Sequence, residues 1–242
     1  MKEHQFETIV YEESEGIGYI CMNMPPANKM IPQFLIEISM VIKEYALLTN
    51  ASGIILYGSG RHFSSGADVL ELLDFISTHT AVKDGVVTRY PEWYLECKDS
   101  FKKLFQMEIP VVSAISGFCI GSGFELALAS HIRICESGAR LGLPESTFGL
   151  LPGVNGTLRL SEEAGFFHSY EMIVKGSLID SQEAEQLGVI DLLVPRKSSL
   201  EYARKLLAFI HEHHREYHFT DRFHFLDLFK EKYFSERGES IR

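Results

Sequence analysis

Hydrophobic and polar positions alternate in distinct blocks along the first half of the chain. Residues 7–12 and 17–22 are rich in β-branched and aromatic positions and flank a polar turn, which predicts two paired strands. From residue 32 to about residue 48 the apolar positions recur at helical spacing. The runs 53–57 and 111–115 are short, continuous and apolar, as is typical of strands buried on both faces. Strands alternating with helices in this way predict an α/β domain with a largely parallel sheet.

The pattern changes after Pro195, where only helical spacing remains. One helix is predicted over residues 199–214 and a second from about residue 220 to residue 234. We therefore divide the chain into an α/β core, residues 1–196, and a C-terminal helical module, residues 197–242.

A polar stretch, residues 77–94, interrupts the core, and we interpret it as a mobile connection or a lid. At its end Trp93 and Tyr94 are candidates for lining an apolar pocket, and ordinary packing explains them equally well.

Charge and composition exclude several classes of protein. The 242 residues carry 23 Lys and Arg against 33 Asp and Glu, a formal net charge of −10. This balance argues against a nucleic-acid partner or an anionic membrane surface, because both need clustered basic side chains. A polyanionic ligand would need a local basic patch. No apolar run reaches the roughly 18–20 residues of a membrane span, and the polar N-terminus does not resemble a secretory signal, so we expect a cytoplasmic protein.

Cysteine and histidine give no metal signature. The four cysteines are far apart in hydrophobic surroundings and contain no C-x-x-C pair, so buried free thiols are expected at Cys21, Cys97, Cys119 and Cys135. His211, His213, His214 and His218 raise the question of a metal site, because residues 211, 214 and 218 share one helical face, but no cysteine or second cluster lies near them in the sequence. We interpret them as an exposed polar helix end and predict no metal site.

Two segments rich in glycine and serine follow predicted strands and open predicted helices. They are Phe-Ser-Ser-Gly-Ala-Asp at 63–68 and the glycine-rich run at 117–127. Backbone N–H groups at a helix start can point at one spot, which suits an anion or a developing oxyanion. Each loop alone is a weak signal, because glycine-rich turns before helices are common and turn geometry is the more frequent explanation.

Two glutamates stand out because their neighbours are apolar. Glu125 interrupts the helical stretch 123–129, where a carboxylate must either face solvent or be buried with partners. Burial would raise its pKa toward acid–base duty. Glu145 follows Leu143-Pro144, and taken alone it fits an acidic residue at a helix start.

These features together resemble the crotonase superfamily, the enoyl-CoA hydratase/isomerase proteins. The resemblance covers roughly residues 8–210 and rests on motifs that occur in order. They are FSSGAD at 63–68, IPVVSAISG at 109–117, GSGFELALA at 121–129, RLGLPE at 140–145, GLLPGVNGTLRL at 149–160, KGSLIDSQEA at 175–184 and LGVIDLLVP at 187–195.

The resemblance implies a repeated ββα spiral core with a C-terminal helical module, acyl-CoA substrates, and no cofactor beyond the coenzyme A of the substrate. It implies an oxyanion hole from the backbone N–H groups of Ala67 and Ser122, although the family often has glycine at the second position. Glu125 and Glu145 lie 20 residues apart, as in the hydratase branch, where two glutamates share a water molecule. A homotrimer or a dimer of trimers is expected. Further substrate or CoA contacts are assigned by the same resemblance to Asn28, Lys29, Ser65, Gly66, Asp68 and Gly121.

Several positions depart from the family pattern. The Arg-Pro that often precedes the family's asparagine is replaced by Pro25-Pro26-Ala27 before Asn28, which removes one CoA phosphate contact. Lys29, Arg61 and His62 are alternative sources of positive charge, or simply exposed polar residues. The helical module is also shorter than the family pattern, which weakens the expectation of a trimer.

Three functions are compatible with these residues. The leading one is an enoyl-CoA hydratase that adds water across an α,β-unsaturated acyl-CoA thioester. The second is an isomerase, decarboxylase or hydrolase that uses the same oxyanion hole, and the third is a non-catalytic protein that binds acyl-CoA or acyl-carrier protein.

Overall fold

A central seven-stranded sheet organises the computed structural model, which describes residues 2–79, 81–83, 86–213 and 222–234. The strands are β1 (Lys2–Gln5), β2 (Ile9–Ser14), β3 (Ile17–Met22), β4 (Gly53–Gly58), β5 (Ala81–Lys83), β6 (Val86–Arg89), β7 (Val111–Ile115), β8 (Phe118–Ile120), β9 (Ile132–Glu136), β10 (Arg140–Gly142), β11 (Ile179–Asp180) and β12 (Leu192–Val194). The order of the strands in the central sheet is β1-β2-β3-β4-β7-β9-β12.

Helices connect the strands and cover both faces of the sheet. They are α1 (Pro32–Glu44), α2 (Val69–His79), α3 (Glu92–Phe105), α4 (Ser122–Leu128), α5 (Gly156–Ala164), α6 (Phe166–Lys175), α7 (Ser181–Gln186), α8 (Ser199–Glu212) and α9 (Arg222–Phe234), with short 3-10 helices at Ala46–Leu48 and Pro144–Phe148.

The sheet is antiparallel at one edge and parallel elsewhere. Strands β1 to β3 pair antiparallel, whereas β3, β4, β7, β9 and β12 pair parallel. Apolar side chains fill both faces of the parallel strands, and Ile54, Ile55 and Val112 have no exposed surface. Such two-sided burial explains why these strands read as continuous apolar runs in the sequence. The predicted α/β class is therefore confirmed.

Each face of the sheet packs against its own helices. One core includes Phe34 of α1, Phe101 of α3 and Phe124 of α4. The other lies under α8 and α9, where Leu206 and Phe229 pack against the opposite face. The helices that follow residue 196 therefore cover one side of the sheet in the described part of the chain.

Short turns at the carboxyl ends of β7 and β9 send the chain into a second, smaller sheet. Strand β8 follows β7, and strand β10 follows β9. Strands β8 and β10 pair parallel, with Ile120 opposite Gly142. Strand β11 pairs with the other side of β10. Because β8 and β10 end side by side, the residues that follow each strand are brought together.

Most predicted elements match the structure closely, and the bounds of two elements differ. The first predicted strand begins two residues later, at Ile9, and the predicted helix from residue 32 ends at Glu44 before a 3-10 turn. Residues 77–94 include the end of α2, the antiparallel strands β5 and β6 and the start of α3, and the interpretation of this stretch as a mobile connection or a lid stays a prediction. Paired strands satisfy the backbone there in a way that the polar side chains do not reveal.

All four cysteines are buried and unpaired, as expected. His211 and His213 lie at the exposed end of α8, whereas His214 and His218 lie outside the described residues. No described helix combines the length and the apolar character that a membrane span requires.

Candidate active site

The two glycine-rich loops predicted from the sequence lie against each other. Ser64 forms a parallel bridge with Cys119, in which the Ser64 N–H donates to Phe118 O at 2.9 Å and the Ile120 N–H donates to Ser64 O at 3.0 Å. Residues 64–67 and 119–122 therefore run side by side. Strand β10 continues this row on the other side of β8.

Gly66 permits the close approach of the two loops. Its φ is +77°, and a Cβ atom at this position would lie 2.5 Å from the backbone oxygen of Ile120. Its own oxygen accepts a hydrogen bond from the Met30 N–H at 3.0 Å. A larger residue would be strained in its backbone and would push the loops apart.

Ala67 and Ser122 are the next residues of the two loops. Within the described residues neither backbone N–H donates a hydrogen bond. Ser122 is the first residue of α4, where an N–H has no partner inside the helix. The Ser122 hydroxyl is also buried without a partner among the described residues. These groups are therefore free to donate to a ligand atom.

Glu125 lies one turn into α4 and is 2% exposed. Its Oε1 accepts hydrogen bonds from the N–H groups of Val154, at 2.7 Å, and Gly156, at 2.8 Å. Burial raises the pKa of Glu125, and the N–H donors of Gly156, Val154 and Gly153 act against that rise. The carboxyl group is thus buried and fixed by a donor loop.

Glu145 lies in the 3-10 helix that follows β10 and is 7% exposed. Its Oε2 has no hydrogen-bond partner among the described residues. Burial, and secondly the charge of Glu125, raise the pKa of Glu145 to about 7. A group with this pKa exchanges its proton readily near neutral pH.

Parallel pairing of β8 and β10 explains why the two glutamates interact. Gly121 follows β8, and its N–H donates to Gly142 O at 2.9 Å. A Cβ atom on Gly121 would lie 3.1 Å from Glu145 Oε1. The Glu145 carboxyl group therefore lies next to the residue that precedes Ser122, and α4 begins there and carries Glu125.

The residues predicted to contact CoA have two different environments. Lys29 and Asp68 are solvent-accessible and form an ion pair of 2.7 Å beside Gly66. Asn28 is buried, and its amide donates to the oxygens of Ser59 and His62 at 2.9 and 2.7 Å. Its side chain fixes the adjoining turns, and its contact with CoA stays a prediction.

Ser65 and Gly121 complete the predicted contacts. The Ser65 N–H donates to Ala27 O at 2.9 Å, which ties the first loop to the segment before α1. Gly121 has a φ of +56°, and its oxygen accepts the Glu125 N–H at 2.9 Å. Both residues shape the loops beside Ala67 and Ser122.

Residues 149–160 resemble a motif of the family, but the motif does not predict that this loop holds Glu125. Val154 and Gly156 act through backbone N–H groups, which leave no side-chain signature. Tyr94, considered for an apolar pocket, donates its hydroxyl hydrogen to Gly153 O at 2.6 Å and so contacts the same loop. The available sequence signal for a tightly folded loop was the close spacing of the glycines at positions 149, 153 and 156.

Comparison with known proteins identifies the chain. A sequence model described as enoyl-CoA hydratase/isomerase matches residues 12–220. The chain belongs to this family. The Bacillus subtilis (strain 168) protein named probable enoyl-CoA hydratase is 33% identical over 192 residues, which are 79% of this chain and 71% of the relative. A Rhizobium meliloti (strain 1021) relative of the same name is 30% identical over 201 residues, 82% of this chain and 73% of the relative.

Solved structures agree with the assignment to the enoyl-CoA hydratase/isomerase family. The crystal structure of enoyl-CoA hydratase from Bacillus anthracis matches with a TM-score of 0.72 and 28% identity, over 85% of this chain and 77% of that protein. The α/β crotonase-like fold and membership of an enzyme family that acts on acyl-CoA molecules are thereby confirmed.

Proposed function

We propose that this protein is an enoyl-CoA hydratase that adds water across the double bond of an α,β-unsaturated acyl-CoA thioester. The observation that carries the proposal is the pair of buried carboxyl groups, Glu125 and Glu145, beside two backbone N–H groups that donate no hydrogen bond among the described residues. Hydration needs a water molecule activated on one side and a proton delivered on the other, and two carboxyl groups can provide both.

The environments of the two glutamates support different roles for them. Glu125 accepts two N–H bonds, which favour its carboxylate form. Oε2 of Glu145 has no partner among the described residues, and the pKa of about 7 keeps a large fraction of Glu145 protonated near neutral pH. In the proposed reaction Glu125 takes a proton from water, the water oxygen bonds to the β-carbon, and Glu145 gives its proton to the α-carbon. A proton transfer from Glu125 to Glu145 then resets the site.

The thioester oxygen needs stabilisation during this reaction. As the oxygen of water bonds to the β-carbon, the π electrons of the double bond move toward the thioester and the carbonyl oxygen gains enolate charge. The N–H groups of Ala67 and Ser122 are proposed to donate to this oxygen. Removing one such donor typically costs about 10²–10³ in rate in other enzymes. Neither a metal ion nor a cofactor other than the substrate's CoA is needed for the proposed steps.

The proposal is tested with crotonyl-CoA as substrate. Its hydration is measured as the loss of the absorbance of the enoyl thioester. The Glu125→Gln and Glu145→Gln variants keep the shape of the side chains and lose the acid–base function, so turnover should fall by at least about 10²-fold, as for other general acid–base groups. The exposed Glu108→Gln is the matched control and should keep wild-type turnover. Full activity in both site variants would refute the assignment.

Product identification separates the alternatives. A hydratase gives a product heavier by one water, an isomerase gives a product of unchanged mass, and a decarboxylase or hydrolase gives a smaller acyl product or free CoA. The presence of both carboxyl groups favours hydration over isomerisation. Simple isomerases of this family resemble a pattern that has a carboxylate only at the position of Glu145, so the presence of Glu125 argues against that reaction. Binding of CoA without turnover on a panel of acyl-CoA substrates would instead favour a non-catalytic protein.

Self-association as a homotrimer or a dimer of trimers is part of the proposal. Large apolar side chains are exposed along α5 and α6, notably Phe167 at 83% and Phe166 at 67%. Apolar surface of this kind on one face is typical of a contact between protein chains. Size-exclusion chromatography with light scattering measures the mass directly, and a monomer at micromolar concentration would contradict the proposal.

A further inference from the structure

A second concave site lies away from the two glutamates. It is a cavity of about 630 Å³, and the turns that follow β4, β7, β9 and β12 line it. Ligands of α/β proteins bind preferentially at the carboxyl ends of parallel strands, where such turns meet. Neither glutamate lines this cavity, and neither do Ala67 and Ser122.

Positive charge is concentrated around the cavity. Its lining includes Arg61, Arg196 and Lys197, all exposed, and none of them forms an ion pair with a carboxylate among the described residues. Glu136 is the acidic residue of the lining, and its Oε1 accepts hydrogen bonds from the N–H and the hydroxyl of Ser199. The lining therefore has an excess of positive charge in a protein whose net charge is −10.

The backbone holds these basic groups at the cavity wall. The Arg196 Nε–H donates to Ser137 O at 3.2 Å, and one terminal guanidinium nitrogen lies 2.5 Å from the place where a Cβ atom on Gly138 would be. The absence of a side chain at Gly138 thus makes room for the guanidinium. Lys197 follows directly in the left-handed conformation, with a φ of +64°.

His62 adds a neutral donor to the same wall. Its Nδ1 accepts the Phe118 N–H at 3.1 Å, and its ring stacks on the Phe118 ring with centroids 4.7 Å apart. The proton of the neutral ring is therefore assigned to Nε2, which can donate a hydrogen bond. Burial, and secondly the charge of Arg61, lower the pKa of His62, so this donor is present without a further charge.

We propose that this basic cavity, lined by Arg61, His62, Arg196 and Lys197, binds a phosphate group. Guanidinium groups recognise phosphate through paired hydrogen bonds. A bound phosphate would also reduce the repulsion between the clustered positive charges of the cavity wall. Two sources share this chemistry, a free phosphate and the 3′-phosphate of CoA. The CoA source rests on the proposed function, whereas the free-phosphate source does not.

Titration of the full chain with inorganic phosphate tests the proposal. Binding is measured by phosphorus NMR and by calorimetry. The wild type should bind phosphate saturably, and Arg61→Gln and Arg196→Gln should each weaken binding by about tenfold, as expected for the loss of one charged hydrogen-bond donor. Lys102→Gln removes an exposed positive charge from α3, away from the cavity, and should leave binding unchanged. Absence of saturable binding, or wild-type affinity in both arginine variants, would overturn the proposal.

Comparison of CoA with dephospho-CoA identifies the source. If the cavity holds the 3′-phosphate, wild-type protein should bind CoA more tightly than dephospho-CoA, Arg196→Gln should abolish that difference, and inorganic phosphate should compete with CoA. If it holds a free phosphate, saturating CoA should leave phosphate binding intact. The Glu125→Gln variant separates this proposal from the catalytic one, because it should lose turnover and still bind phosphate.

Discussion

Replacing Glu145 by glutamine should stabilise the protein above neutral pH. Unfolding returns this side chain to water, where its pKa is 4.5, whereas burial and the charge of Glu125 raise the pKa to about 7 in the folded protein. Between these two values the folded state binds more protons than the unfolded state. The free energy of unfolding therefore falls as pH rises through this window, and the penalty is complete above about pH 7.

The size of the effect follows from the two pKa values. The rise from 4.5 to about 7, at 1.36 kcal/mol per pKa unit, corresponds to about 3 kcal/mol. Glutamine has nearly the same shape and carries no charge. Glu145→Gln should consequently match the wild type near pH 4.5 and exceed its free energy of unfolding by about 3 kcal/mol above pH 7.

Urea unfolding at a series of pH values between 4.5 and 8 measures this difference directly. Other titrating groups are common to both proteins and largely cancel in the comparison. The control Glu108→Gln changes an exposed glutamate and should stay within about 0.5 kcal/mol of the wild type throughout. A difference that is independent of pH, or one that favours the wild type as pH rises, would refute the reasoning about the Glu145 environment.

Three further substitutions test other parts of the structure. Gly156→Ala would place a Cβ atom 2.7 Å from Oε1 of Glu125, so crotonyl-CoA turnover should fall by at least about tenfold and urea stability by about 1–3 kcal/mol. Arg133→Met removes the cation that lies 3.0 Å from buried Glu163, and urea unfolding should show a loss of about 3–5 kcal/mol. Gly66→Ala forces a side chain into the left-handed region and should cost about 1–2 kcal/mol, measured in the same way.

The buried parallel strands could be predicted from the sequence because their pattern is local. Residues 53–57 and 111–115 are continuous apolar runs, and the structure extends the first run by one residue and matches the second. Strands β8 and β10 have three residues each and were not predicted. Their existence depends on pairing with each other across a separation of more than 20 residues. No local pattern reports such long-range pairing.

The candidate site was predictable at positions where a charged side chain occurs among apolar neighbours. Glu125 and Glu145 are carboxylates in apolar stretches, and both prove to be buried. The N–H donors of Val154 and Gly156 were not predictable, because every residue other than proline has an N–H group and only the fold selects which ones point inward. Arg196 escaped notice for a related reason, since a single arginine after a strand resembles any exposed basic residue.

The difference between the two carboxyl groups arises from which backbone segments lie next to them. The turn before α5 supplies Glu125 with two N–H donors, whereas Glu145, equally apolar in its surroundings, has a buried oxygen with no partner in the described structure. Hydrogen bonds to a carboxylate lower its pKa, and a neighbouring negative charge raises it. Burial raises the pKa of both groups, but the donors oppose that rise at Glu125, whereas the charge of Glu125 adds to it at Glu145. In the proposed reaction, this one backbone turn distinguishes the base, Glu125, from the acid, Glu145.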